Sequence, residues 1–263
     1  TGGEPLIRNN ILWLVEQLGQ LPDLRELTLT TNGSQLAKMA VDLKRAGLDR
    51  INVSVDSLNA ERFHRITRTG NLTTVLDGLE AAKSAGFQRI KINSVILRHR
   101  NDDEILPLVE FARSNHLDLC FIEEMPLGNI DEHDRLACYM PSDEIREIIQ
   151  QRYALHPTGQ STGGPARYYA FSDSDSRVGF ISPHSHNFCG DCNRVRVTAE
   201  GRLLLCLGNE HSVDLRRVVR EYPQDAPRLQ ETLRSAMEIK PERHYFDLND
   251  APQIVRFMNM TGG

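Results

Sequence analysis

The chain of 263 residues is poor in several things at once. It has no surplus of positive charge: 31 Lys and Arg stand against 36 Asp and Glu, a formal net charge of -5. Such a chain presents no general field to phosphate backbones, which argues against a nucleic-acid partner. No apolar run approaches the roughly 20 residues of a membrane span; patches such as Leu203 to Leu207 have strand length, so no membrane partner is expected. No basic-then-apolar leader opens the chain. The cysteines are few and odd in number, five in all. Without a secretion signal, reduced thiols in a cytoplasm (bacterial, if the source is a bacterium) are a better expectation than a disulfide framework. An initiator methionine is lacking too. Thr1-Gly2-Gly3-Glu4-Pro5 enters inside a Gly-Gly turn and reads as the interior of a longer sequence. What is present, 40% hydrophobic and 25% charged residues, suits a globular chain of one or two domains with a sizeable core.

The first half repeats one pattern: a short apolar run, a turn, a helical stretch. Strands are expected at Leu27 to Thr30, Ile51 to Val55, Ile90 to Ile96 and Leu117 to Ile122. Helices are expected at Leu36 to Ala46, Leu72 to Ala85 and about Asp103 to Asn115, with Gly47 and Gly86 as stop signals after the first two. Strands alternating with helices imply parallel β/α units, in a doubly wound sheet or a barrel. Buried parallel strands usually read as unbroken apolar runs. Here Ile51-Asn52-Val53-Ser54-Val55-Asp56 and Ile90-Lys91-Ile92-Asn93 alternate strictly. If helices cover the apolar face, Thr, Asn, Ser and Lys line an interior. Lys91 is costly there unless an anionic group meets it. The other reading is a sheet with one solvated face.

After about residue 140 the pattern changes. A helix from Ser142 to Arg152 precedes a Gly/Ser/Thr-rich stretch, Thr158 to Pro165. Short strands follow near Val178 to Ile181, Val195 to Thr198 and Leu203 to Leu207, and then a charged, helical end. The expected division is 1–139 and 140–263. Cys120, within an apolar run, reads as a buried small hydrophobe, and Cys138 is read the same way. The other three cysteines form a set: Cys189-x-x-Cys192, then thirteen residues, then Cys206. Structural zinc would need a fourth ligand, His184, His186 or His211. A [4Fe–4S] cluster accepts three thiolates and leaves one iron open. Cys192, Arg194 and Arg196 share parity, so in an extended segment two guanidiniums project beside the metal and suit an anionic ligand. Two solvent-facing arginines are the plainer alternative. In the opening turn, Gly2 and Gly3 allow a close backbone approach and Glu4 can accept bonds from an ammonium.

These segments together resemble the molybdenum cofactor biosynthesis A family of radical S-adenosylmethionine (SAM) enzymes, the GTP 3′,8-cyclases. The resemblance runs through Thr1 to Pro5, Thr30-Thr31-Asn32-Gly33, Asn52 to Leu58, Lys91-Ile92-Asn93, Phe121-Ile122-Glu123 with Met125, Phe188 through Arg196, and the terminal Gly262-Gly263. It implies an α/β fold: an incomplete TIM-like (β/α) radical SAM barrel lacking its N-terminal strands, plus a C-terminal iron–sulfur region. It also implies roles. Gly2, Gly3, Glu4, Ser54 and Met125 would bind SAM. Thr30, Lys91, Arg194, Val195 and Arg196 would bind GTP. Cys189, Cys192 and Cys206 would ligate a second [4Fe–4S] cluster. Gly262 and Gly263 would reach the reacting centre. The implied reaction abstracts hydrogen from C3′ of GTP with a radical from SAM and joins C3′ to C8. An electron donor is implied, and a homodimer is compatible. The family's Cys-x-x-x-Cys-x-x-Cys motif, which holds the SAM-cleaving cluster, is absent from this stretch. The stretch alone is therefore expected to be inactive. A peptide-modifying radical SAM enzyme is the neighbouring alternative, though such enzymes usually carry more C-terminal cysteines. A non-enzymatic zinc-stabilised binding module is the distant one.

Overall fold

The structure, a computed structural model, describes residues 1–130, 132–160, 162–244, 246 and 254. The chain divides into two compact units. One comprises Glu4–Glu124 and Ala137–His186, the other Thr1–Gly3, Met125–Leu136 and Asn187–Gly263.

The first unit is built on β/α repeats. Its elements run α1 (Ile11–Gly19), β1 (Thr28–Thr31), α2 (Leu36–Arg45), β2 (Arg50–Ser54), α3 (Ala60–Thr67), α4 (Leu72–Ser84), β3 (Ile90–Val95), α5 (Ile105–Ser114) and β4 (Asp118–Ile122). A short helix α6 (Arg135–Cys138) and α7 (Ser142–Gln150) precede β5 (Leu155–Pro157), β6 (Arg167–Phe171) and β7 (Ser174–Ile181). The sheet order is β1-β2-β3-β4-β7-β6-β5. Pairing is parallel from β1 through β4 to β7 and antiparallel from β7 to β6 to β5. Gly47 and Gly86 take positive φ, 94° and 85°, and stop α2 and α4 where expected. Ile51, Val53, Ile92, Leu119 and Phe121 bury one face of the sheet in a core with Leu36, Leu43, Leu79 and Leu108 from the helices. The mixed α/β architecture with its parallel strands is the expected one.

Several elements had not been expected. Helix α1, helix α3 and strands β5 and β6 all add to the first unit. Cys120 is buried, beside Ala166 and Tyr168, and burial pushes its thiol up to about 11. Cys138 is half-buried.

The second unit holds a small antiparallel sheet, order β10-β9-β8, made of β8 (Arg196–Val197), β9 (Arg202–Leu204) and β10 (Ser212–Asp214). Helices α8 (Leu215–Glu221) and α9 (Ala226–Glu238) follow. Each is capped by an aspartate: Asp214 accepts from the Arg217 amide and Asp225 from the Arg228 amide. Leu203, Leu205 and Ala236 form its core.

Asp56, just past β2, is half-buried and accepts the Val95 amide at 2.8 Å. Burial raises its carboxyl to about 6, partly opposed by that amide. The folded-state value lies above the ~3.9 of an unfolded aspartate. Its stabilising contribution is therefore fully present below pH ~3.9 and is lost as pH rises through about 6. Asp56→Asn keeps an acceptor for Val95 and removes the buried charge. The variant is expected to be more stable than the parent by about 1–3 kcal/mol at pH 8, with the gain gone at pH 4. Urea melts at the two pH values check this; a gain equal at both would show that charge is not the cause.

Candidate active site

The polar face of the first unit's sheet carries a continuous row of side chains. Thr30, Asn52, Lys91 and Asp118 lie side by side in register on β1 to β4. The strict alternation in the sequence makes this row, because each strand sends its apolar residues to the helices. Asn52 donates to the Thr30 hydroxyl at 3.2 Å and accepts from Arg50 at 3.2 Å. Arg50 forks onto Glu26 at 2.7 and 2.8 Å, and this pairing holds the Glu26 carboxyl below its ordinary value. At the other end Arg177, from β7, grips Asp118 with Nε and Nη2 and donates Nη1 to Gln160 at 2.8 Å.

The charges of this row do not balance. Arg50 has Glu26, and Arg177 has Asp118. Lys91, only 7% exposed, forms no ion pair among the described residues; its ammonium donates to the Tyr168 hydroxyl at 3.4 Å. Asp118 is its neighbour in register, but Arg177 occupies that carboxylate. The Glu26 carboxylate acts on it only from a distance; a buried ammonium without an ion-pair partner is costly, so this position suits an anionic ligand. One step along the same face, Ser54 stands beside Asn93. The side-chain oxygen of Asn93 is buried and has no hydrogen-bond partner among the described residues. It is a second unfilled polar position. The sequence offered a signal for it, since Asn93 keeps the parity of Lys91.

Glu4 ties its loop to the end of β1: its carboxylate accepts the Thr31 hydroxyl and the Asn32 amide, each at 2.7 Å, and the Leu6 amide at 3.0 Å. Glu123, just past β4, is buried and accepts the amides of Ser142, His184 and Ser185 as well as the Ser185 hydroxyl. Burial raises its carboxyl, but these donors outweigh burial and hold it below its ordinary value. Glu123 thereby fixes the stretch that runs on in sequence to Cys189. Glu123 had been read only as a motif member, and Glu4 as an acceptor for an ammonium.

The second unit contains the remaining expected residues. Gly2 and Gly3 have positive φ, 96° and 58°, so the opening turn needs glycine there. Met125 is half-buried. Cys189, Cys192 and Cys206 are half-buried free thiols. Burial pushes the Cys206 thiol up, and the negative ends of Cys189 and Cys192 act on it in the same direction. Arg196 is half-buried and its guanidinium is held below its ordinary value, first by burial, against attraction to Cys192 and Cys206; Arg194 adds repulsion. Cys192, Cys206 and Arg194 thus all act electrostatically on Arg196, although only Arg196–Val197 is regular strand, so the parity expected of an extended segment holds for two residues only. Arg194 is exposed, and Val195 is 42% exposed. Gly262 and Gly263 lie outside the described residues.

The donor set tests which metal group these thiols fit. Among the described residues, no three or more His, Cys, Asp or Glu side chains are arranged to hold a single ion. Two of the histidines weighed for zinc have other partners: His184 Nε2 meets the Glu124 carbonyl at 3.0 Å, and His186 Nε2 meets Asp143 at 2.8 Å. His211, the third histidine weighed for zinc, is exposed. Three thiols on this spacing fit an iron–sulfur cluster, in which each thiolate would meet a different iron and one iron would stay open.

Comparison with known proteins agrees with this chemistry. Residues 1–112 match the Radical SAM superfamily, and residues 117–246 match Molybdenum Cofactor Synthesis C. The solved structure of Streptococcus suis SuiB bound to S-adenosylmethionine superposes with a TM-score of 0.58 over 98% of this chain and 64% of that one, at 14% identity. The class is therefore radical SAM, whose members work with an iron–sulfur cluster and SAM. A GTP 3′,8-cyclase of Marinobacter nauticus is 59% identical over all of this chain and 79% of its own length. GTP 3′,8-cyclase 2 of Pseudomonas aeruginosa is 57% identical over 80% of its length. The chain belongs to the GTP 3′,8-cyclase family.

Proposed function

We propose that this chain carries the substrate-binding part of a cytoplasmic enzyme that cyclises GTP between C3′ and C8, an early step in making the molybdenum cofactor. Family membership sets the reaction, and the uncompensated ammonium of Lys91 is the observation that carries the substrate reading. GTP is polyanionic, and Lys91 is a buried cation on a polar face without a carboxylate of its own. Thr30 and Lys91 from the sheet, with Arg194, Val195 and Arg196, hold GTP. Gly2, Gly3, Glu4, Ser54 and Met125 hold SAM: the glycines by close backbone approach, Glu4 through the amino group, Ser54 from the end of β2. Cys189, Cys192 and Cys206 hold one [4Fe–4S] cluster, and in the full-length protein a second one is held elsewhere. With SAM, the clusters supply radical chemistry that the side chains cannot supply. The chain orients the nucleotide, neutralises its charge and excludes water.

The test is product formation from GTP and SAM by an anaerobic preparation of the full-length protein with a reductant. Lys91→Ala is expected to weaken GTP binding by about 1–3 kcal/mol, the worth of a charge-assisted contact, while leaving the melting temperature close to the parent's. Unchanged GTP affinity in a variant that melts earlier would make Lys91 structural and overturn the substrate reading.

A further inference from the structure

We infer that Tyr168 is a positioning residue for GTP binding, acting by aiming the ammonium of Lys91. This rests on the substrate reading of Lys91 above and extends it to β6, a strand that had not been expected.

Tyr168 lies on β6, 2% exposed, against Cys120 and Ala166 on the polar face of the sheet. Its ring crosses Gly179 on β7. A Cβ at Gly179 would stand 2.8 Å from the ring, so only glycine leaves the space. The guanidinium of Arg177 lies over the ring, 4.8 Å from its centroid, and is itself fixed by Asp118 and Gln160. With the ring held by Gly179 and Arg177, the hydroxyl has little freedom. It accepts from Lys91 Nζ at 3.4 Å and lies 3.4 Å from the Thr162 hydroxyl. The Gly/Ser/Thr-rich stretch therefore contributes two side chains to this brace, Gln160 and Thr162.

The chemical nature of the partner matters. A carboxylate at this position would hold Lys91 and cancel its charge, as Asp118 does for Arg177. A neutral hydroxyl restrains the ammonium and leaves its charge for an anion. The brace thus lowers the ordering cost of a long, rotamer-rich side chain when the ligand binds.

The experiment is a double-mutant cycle on the anaerobically reconstituted full-length protein, with GTP affinity measured by equilibrium dialysis and melting followed in parallel. Tyr168→Phe keeps the ring on Gly179 and removes only the hydroxyl. It is expected to weaken GTP binding by roughly three- to tenfold, with melting unchanged. In the Lys91→Ala background the same change is expected to have no further effect, because Tyr168 acts through Lys91. Additive losses, or parent-like affinity in Tyr168→Phe while Lys91→Ala has lost binding, would overturn the inference and leave the substrate reading intact. Parent-like affinity in Lys91→Ala itself would overturn that reading and this inference together.

Discussion

Cys206→Ser in the full-length protein is expected to lose iron and cyclisation together, with product formation falling on the order of 100-fold or more. The residue lies two positions past the end of β9 and belongs to the half-buried set with Cys189 and Cys192. Burial and the two other sulfurs favour the protonated thiol of Cys206, only partly opposed by the Gly208 amide and the Lys240 ammonium, so a bound cation would favour its ionisation. A cluster iron provides that compensation, and the serine oxygen is a harder, poorer ligand for it. Because only three thiols serve the site, no spare ligand replaces the one removed. Iron, sulfide and zinc measured on one anaerobic preparation decide the matter. Zinc in place of iron in the parent, or a variant that keeps this cluster and its activity, would overturn the assignment.

Much of the first unit was legible because two independent signals coincided. Apolar and polar residues alternate along β2 and β3, and glycines at 47 and 86 end the helices between strands. These signals place the strands to within a residue or two and identify the polar face. They do not reveal what the polar face contains. Lys91 announces itself by parity, yet its isolation from carboxylates depends on Arg177 taking Asp118, a pairing between positions 59 apart in sequence. The role of Tyr168 depends likewise on Gly179 lying under its ring. Strands β5 and β6 are short, and their partners lie in the same antiparallel set, so no helix period marked them off. Helix α1 was readable in principle from its amphipathic run Ile11 to Leu18, as were α8 and α9 from their aspartate caps. The proposal for the thiol set and its arginines came from spacing alone, because a ligand motif is local in sequence. The choice between zinc and iron did not, since it depends on which histidines reach the thiols in space, and spacing in sequence does not give that.

Arginine at position 196 should prove irreplaceable by lysine. Arg196 is half-buried, with its charged form disfavoured by burial and by Arg194 and favoured by Cys192 and Cys206. A cation kept in such a place, with a second one beside it, is poised for a strongly anionic ligand. The net charge of -5 offers no general attraction, so on the proposed reading local cations recognise the triphosphate and the guanine. The planar guanidinium can grip two oxygens at once, whereas an ammonium is a compact point charge that loses solvation on burial and shifts its proton readily. Lysine at this site therefore loses geometry and part of its charge. Arg196→Lys is expected to cut cyclisation by about tenfold or more, equivalent to about 1.4 kcal/mol per tenfold, with iron content unchanged. The exposed Arg194 carries less desolvation, so Arg194→Lys is expected to cost less than Arg196→Lys. Iron content, GTP affinity and product are to be read from the same preparation of each variant. Near-normal product from both would show that the two guanidiniums are a solvated face, and loss of iron from Arg196→Lys would show that the residue supports the cluster and not the nucleotide.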